Sequence, residues 1–200
     1  MQAPSRPTAN GIPLDFRAAP STYRGAALVM SDADLTRHFT STGFVVNDDT
    51  VLLHWHAKIK AWLPPGGHVE LNEDPVQAVL REILEEAGLS TEIVGSTPDL
   101  GLEYPRQIAP PFTIMIEDIH NPADGFHQHI DMIYFCRPSG PIGPLNEGWR
   151  WVKRRDLADG IALEGPGESV PPPKDVRLLA ERAFRAAQSE GIEGYVRVSR

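Results

Sequence analysis

Glu82, Glu85 and Glu86 stand at i, i+3 and i+4 in a segment of helical apolar periodicity, so their carboxylates are neighbours on one helix face. That face lies roughly 130° from the centre of the apolar stripe at about 100° per residue. Like charges at these spacings oppose the helix, and a bound divalent cation removes the cost. Hard cations such as Mg²⁺ take oxygen ligands, which neighbouring carboxylates on a rigid element supply. A cation held this way can polarise a bound centre, acidify water and cancel anionic charge. Three glutamates alone are weak evidence, because charge runs are commonly solvated faces.

A second constellation is His127-Gln128-His129-Ile130-Asp131. In a strand, His127, His129 and Asp131 share one face, opposite Ile130, Met132 and Tyr134. Such a row can donate to phosphate, hold a metal or supply a base near neutral pH; the structural alternative is a hydrogen-bonded polar strand face. Lys58, near the loop before Gly66, is a candidate phosphate contact, and Arg106 in Tyr104-Pro105-Arg106 a candidate substrate contact. Trp62 reads as a core anchor and the single cysteine, Cys136, as a small buried hydrophobe without a catalytic role.

The elements that must position these groups are legible. Asp74 caps a helix, Pro75 suits its first position, Gln77 stands where a capping-box partner belongs, and Gly88 stops it. Val76, Val79, Leu80, Ile83, Leu84 and Ala87 form its apolar stripe. Pro64-Pro65-Gly66-Gly67 reads as a stiff turn followed by two residues free to take positive φ, with a short strand at His68 to Leu71. Ser41 to Val46 and Val51 to Trp55 flank the polar turn Asn47-Asp48-Asp49 as a hairpin. Further strands are expected at Glu92 to Val94, Phe112 to Ile119, Ile130 to Cys136 and Arg150 to Lys153. A short helix is expected at Arg154 to Asp159, a proline-rich loop at Gly165 to Pro173, and a last helix from Asp175 to Ser189, stopped by Gly191. Mixed strands around two or three helices imply a layered α/β or α+β domain without regular βαβ alternation.

Composition narrows the function classes. The chain has 200 residues and a net charge of -8, from 27 acidic against 19 Lys and Arg residues. That field disfavours a nucleic-acid polymer as partner, and a phosphate ligand needs a cation as intermediary. A single cysteine rules out an intrachain disulfide scaffold, and no apolar run approaches membrane-spanning length or a signal peptide, so a cytoplasmic protein is expected.

From Gly67, five residues lead to Glu73 and seven more to Arg81-Glu82-Ile83-Leu84-Glu85-Glu86-Ala87-Gly88-Leu89. This segment resembles, at every fixed position, the signature box of the Nudix (MutT-like) hydrolases, Gly-x5-Glu-x7-Arg-Glu-U-x-Glu-Glu-x-Gly-U with U apolar. Trp62 before the Pro-Pro-Gly-Gly run, and Trp151-Val152 before the short helix, extend the likeness over roughly residues 38–160. The resemblance implies an α/β/α sandwich with a mixed central sheet. It also implies Mg²⁺-dependent hydrolysis, with Mn²⁺ able to stand in, of a nucleoside diphosphate linked to a further group. Glu85 and Glu86 would be metal ligands and Glu82 a ligand or the base. The Gly66 carbonyl would add a metal contact, Arg81 would orient the carboxylates, and Gly67 and Glu73 would support the loop. Some members add an acidic residue after the box, a part open to Asp131 or Glu147. A homodimer acting on a small diphosphate is expected, and a non-catalytic nucleotide-sensing module is the alternative. The organisation expected is a flexible arm (1–33), the hydrolase domain (34–160) and a loop with a C-terminal helix packed on it (161–200).

Overall fold

Asn47-Asp48-Asp49-Thr50 interrupts two β-branched runs, and the chain reverses there. Arg37–Asn47 (β1) and Thr50–His56 (β2) pair antiparallel with Asn47 opposite Thr50, and Asp48 takes the left-handed conformation, φ 48°, that a short polar side chain tolerates. The computed structural model describes residues 35–95, 97, 99–121 and 125–189. The proline-rich arm and the Gly191 stop fall outside the described residues.

Ala61–Leu63 (β3) and Gly66–His68 (β4) follow, then the helix Pro75–Ala87 (α1) and the strands Thr91–Val94 (β5), Thr113–Asn121 (β6), Gly125–Pro138 (β7) and Trp149–Lys153 (β8). Arg154–Ala158 (α2), the short strands Leu163–Glu164 (β9) and Ser169–Val170 (β10), and Lys174–Ser189 (α3) complete the order. Strands β1 to β8 make one mixed sheet. Its axis is β1 parallel to β7, in register from Arg37 opposite Gln128 to Val45 opposite Cys136. β4 pairs antiparallel with β1, and β5 and β6 pair antiparallel with β7.

The strand period of two sorts the core into two layers. Val45, Met132, Tyr134 and Cys136 pack with Val79, Ile83 and Ala87 of α1, whereas Phe44, Val46, Ile133 and Phe135 pack with Val176, Ala180 and Phe184 of α3. The architecture is therefore the expected α/β/α sandwich. Trp62, 3% exposed, is a core residue, and Cys136 is fully buried with its thiol pushed up by burial.

Four details differ from expectation. Leu84 is 51% exposed, so the apolar stripe of α1 is narrower than its sequence spacing. The strand expected from His68 starts at Gly66, because Gly66 and Gly67 pair with Thr42 and Ser41, and neither glycine takes a positive φ. β7 begins five residues before Ile130, at Gly125, since its polar start is carried by pairing with both β1 and β6. The loop after α2 carries a two-residue hairpin, β9 with β10.

Candidate active site

Helix α1 carries the carboxylates, and its ends are fixed as its sequence predicts. Asp74 Oδ1 accepts from the Val76 and Gln77 amides at 3.0 Å each, while Gln77 Oε1 accepts from the Asp74 amide at 2.9 Å, completing a capping box. Gly88, at φ 73°, closes the other end and donates to the Leu84 carbonyl. A residue not anticipated finishes this end: Asn146 Nδ2 donates to the Glu85 and Glu86 carbonyls at 3.2 and 3.0 Å, and its amide donates to Ala87. These are carbonyls that the helix leaves without partners. No local signal marks Asn146, which lies about sixty positions downstream in a loop.

Arg81 gathers the acidic groups. Its Nε and Nη2 clasp Glu73 at 3.0 and 2.7 Å, Nη1 reaches Glu82 at 2.8 Å and Glu85 at 3.1 Å, and Nη2 also donates to the His68 carbonyl. One planar guanidinium thus ties the loop after β4 to two turns of α1. On the far side, the Gly66 amide donates to Glu86 Oε2 at 3.2 Å. The two glycines are required by proximity. A Cβ on Gly67 would collide with the Glu82 carboxylate, and one on Gly66 would lie 2.8 Å from the Ser41 carbonyl oxygen and 2.9 Å from Thr42 Cα.

The electrostatics separate the glutamates. The hydrogen bonds from Arg81 hold Glu73 below the usual carboxylate range, and Glu73 in turn raises Arg81. Glu86 moves the other way, raised first by burial and then by Glu82 and Glu85, with the Gly66 amide opposing. The cluster therefore holds more negative charge than Arg81 compensates. Its side-chain donors to a cation are all oxygens. This set suits a hard divalent cation.

The His/Asp row lies on the sheet face turned away from α1. Asp131, 3% exposed, accepts from Thr40 and Thr42 through Oδ1 at 3.0 Å each, and burial raises its carboxyl against those bonds. Thr42 pairs with Gly66, so Asp131 is linked through one threonine to the glycine loop. On β6, Glu117 is pushed up to about 7 by burial, with Asp131 and Asp175 adding to it. His127 and His129 sit beside His38 and His68, two histidines that no sequence signal joined to them, and burial pushes His129 down to about 4. A groove of about 580 Å³ runs past His38, Phe39, His68, Leu71, Pro75 and Met132.

Arg106 makes a 2.6 Å ion pair with the cap residue Asp74. Lys58 is exposed in the turn between β2 and β3, and Glu147 is exposed in the loop that caps the C-terminal end of α1.

A model of the NUDIX domain matches residues 36–171. The chain is 30% identical over 137 residues to an RNA pyrophosphohydrolase of Roseobacter denitrificans, a match covering 64% of this chain and 77% of that protein. It is 32% identical over 95 residues to a probable DHNTP pyrophosphohydrolase of Lactococcus lactis, covering 48% of this chain and 51% of that protein. Among solved structures, a NUDIX-family hydrolase from Clostridium perfringens matches with a TM-score of 0.58 and 31% identity, covering 76% of this chain and 98% of that one.

Proposed function

The chain belongs to the Nudix hydrolase family, and from that premise we propose that it is a Mg²⁺-dependent pyrophosphohydrolase of a nucleoside diphosphate linked to a further group. The observation that carries this reading is the gathering of Glu73, Glu82 and Glu85 on one arginine, with Glu86 held beside them by the Gly66 amide. When bound there, Mg²⁺ supplies Lewis acidity and cancels phosphate charge. The chain's own residues do the rest. Arg81 orients Glu82 and Glu85, and the Gly66 amide fixes Glu86. The attacking water must lose a proton to a neighbouring acceptor, and these carboxylates are the acceptors in place.

A small substrate is favoured by the charge of -8, which repels a polyanion. A cytoplasmic homodimer is part of the same proposal, and no described helix is long and apolar enough to cross a membrane. The test is turnover with and without Mg²⁺ on nucleoside triphosphates, ADP-ribose, dinucleotide polyphosphates, nucleotide sugars and a 5′-triphosphorylated RNA oligonucleotide, with products separated by chromatography. Release of a nucleoside monophosphate or pyrophosphate from a small member of the panel is expected. Preferential action on the RNA would overturn the small-substrate reading. Ligand-dependent melting shifts without turnover would mark a nucleotide-sensing module instead.

A further inference from the structure

Four imidazoles from three strands meet on the face opposite α1: His38 of β1, His68 of β4, and His127 and His129 of β7. One ring nitrogen from each of His38, His127 and His129 lies within 4.8 Å of the others, and His38 Nδ1 lies 3.2 Å from His68 Nε2. Ring centroids are 5.0 to 6.1 Å apart. The pairing of β1 with its neighbours makes this a built arrangement, because His38 is the register partner of His129 and the adjacent Thr40 is that of His68.

The hydrogen bonding leaves lone pairs directed inward. His127 is 5% exposed and its Nδ1 is 3.3 Å from the Gly125 carbonyl, a contact that places the proton on Nδ1 and frees Nε2. A backbone carbonyl on the remote nitrogen is the usual support of a metal-binding imidazole. His129 Nε2 is buried without a hydrogen-bond partner. Asp131, the carboxylate next along the row, is engaged by Thr40 and Thr42. In a tetrahedral zinc site with Zn–N of about 2.0–2.1 Å, ligand nitrogens stand roughly 3.3 Å apart. His38 and His68 already show that separation, and rotation of the half-buried His38 and His129 rings is what must close the rest.

We propose that His38, His68, His127 and His129 form a second metal site, selective for a borderline divalent cation of the zinc class and distinct from the carboxylate site. Imidazole suits Zn²⁺, Ni²⁺ and Cu²⁺, whereas the oxygen donors around Gly66 suit Mg²⁺, so ligand chemistry sorts two cations within one domain. The site would pin β1, β4 and β7 together beside the Gly66-Gly67 loop.

The test is a competition titration of the full chain with Zn²⁺ against a chromophoric chelator, in excess Mg²⁺ to occupy the carboxylates, with a parallel Co²⁺ titration read by visible absorption. One equivalent should bind, Co²⁺ should give the intense absorption of four-coordinate geometry, and Zn²⁺ should raise the melting temperature. His38→Ala and His68→Ala, at accessible positions, should each weaken binding at least about tenfold, the loss that even an outer-shell partner brings. The paired change His54→Ala with His56→Ala, and Glu86→Gln, should leave it unchanged. Absence of a bound equivalent in Mg²⁺, unchanged affinity in both single variants, or loss of binding in Glu86→Gln would each overturn the proposal. Where a variant fails to fold, the wild-type Co²⁺ spectrum decides, since a six-coordinate, weakly absorbing ion is incompatible with it.

Discussion

Two arginine–glutamate clusters in this molecule use the same contacts and end in opposite states of charge. Between α2 and α3, Arg154 clasps Glu181 at 2.8 and 2.7 Å and Arg185 adds a third bond at 2.9 Å, giving two cations to one carboxylate. In the box, Arg81 serves Glu73, Glu82 and Glu85, and Glu86 stands beside them on the Gly66 amide. Arg154 and Arg185 drive Glu181 down to about 2, whereas burial and its acidic neighbours push Glu86 up. Bidentate geometry is common to both clusters, so it does not tell a strut from a site. Charge balance does: a strut neutralises itself, and a site keeps a surplus that an external ion must complete.

The most severe way to break this comparison is Glu86→Gln. Turnover with Mg²⁺ should fall on the order of 10²-fold or more, while the fold survives. The sign of its stability effect is also set. A raised carboxyl contributes stability below its unfolded value that is lost as pH rises through the folded one, so ionised Glu86 opposes folding at neutral pH. Glu86→Gln should therefore melt no lower than wild type without metal, and a lower melting temperature would show Glu86 to be a strut.

Next in size are the glycines. Gly67→Ala displaces Glu82 and should reduce turnover by roughly tenfold to a hundredfold with little change in melting, since a carboxylate can swing where a backbone cannot. Gly66→Ala meets main-chain atoms of β1 and should cost about 1–3 kcal/mol in chemical denaturation besides its effect on rate. Equal stabilities for the two variants would remove the distinction between site and sheet at this loop.

On the strut, Arg154→Ala should cost about 1 kcal/mol, part of it from lost packing over Phe184, and leave turnover at the wild-type level. A drop in turnover would couple α3 to the site. The smallest effect sharpens the sign. The lowered Glu181 contributes stability that is present above pH 4.5 and lost as pH falls from 4.5 to about 2. Any advantage of wild type over Glu181→Gln should therefore vanish over that window in acid melts, and a gap that stays constant would remove the pairing as its cause.

Sequence carried the box a long way because its information is local. Asp74, Pro75, Gln77 and Gly88 bound α1, and the three glutamates fall on one face by helical period alone. The Gly66-Gly67 pair was legible as special, but not why: a turn signal and a close-approach signal are the same residue type. Leu84 shows the limit of periodicity, since its spacing fits the stripe and yet it stands 51% exposed.

What the sequence by itself determined about this protein is α1, its caps, its carboxylates and the alternation of the strands, because each depends on neighbours within about one or two helical turns. Only the tertiary structure decided that Arg81 links the loop to the helix, that Asn146 completes the far end of α1, and that His38 and His68 join His127 and His129. Those contacts depend on which strands lie side by side and in what register. The parallel pairing of β1 with β7 joins residues some ninety positions apart, and no local preference of either segment specifies it.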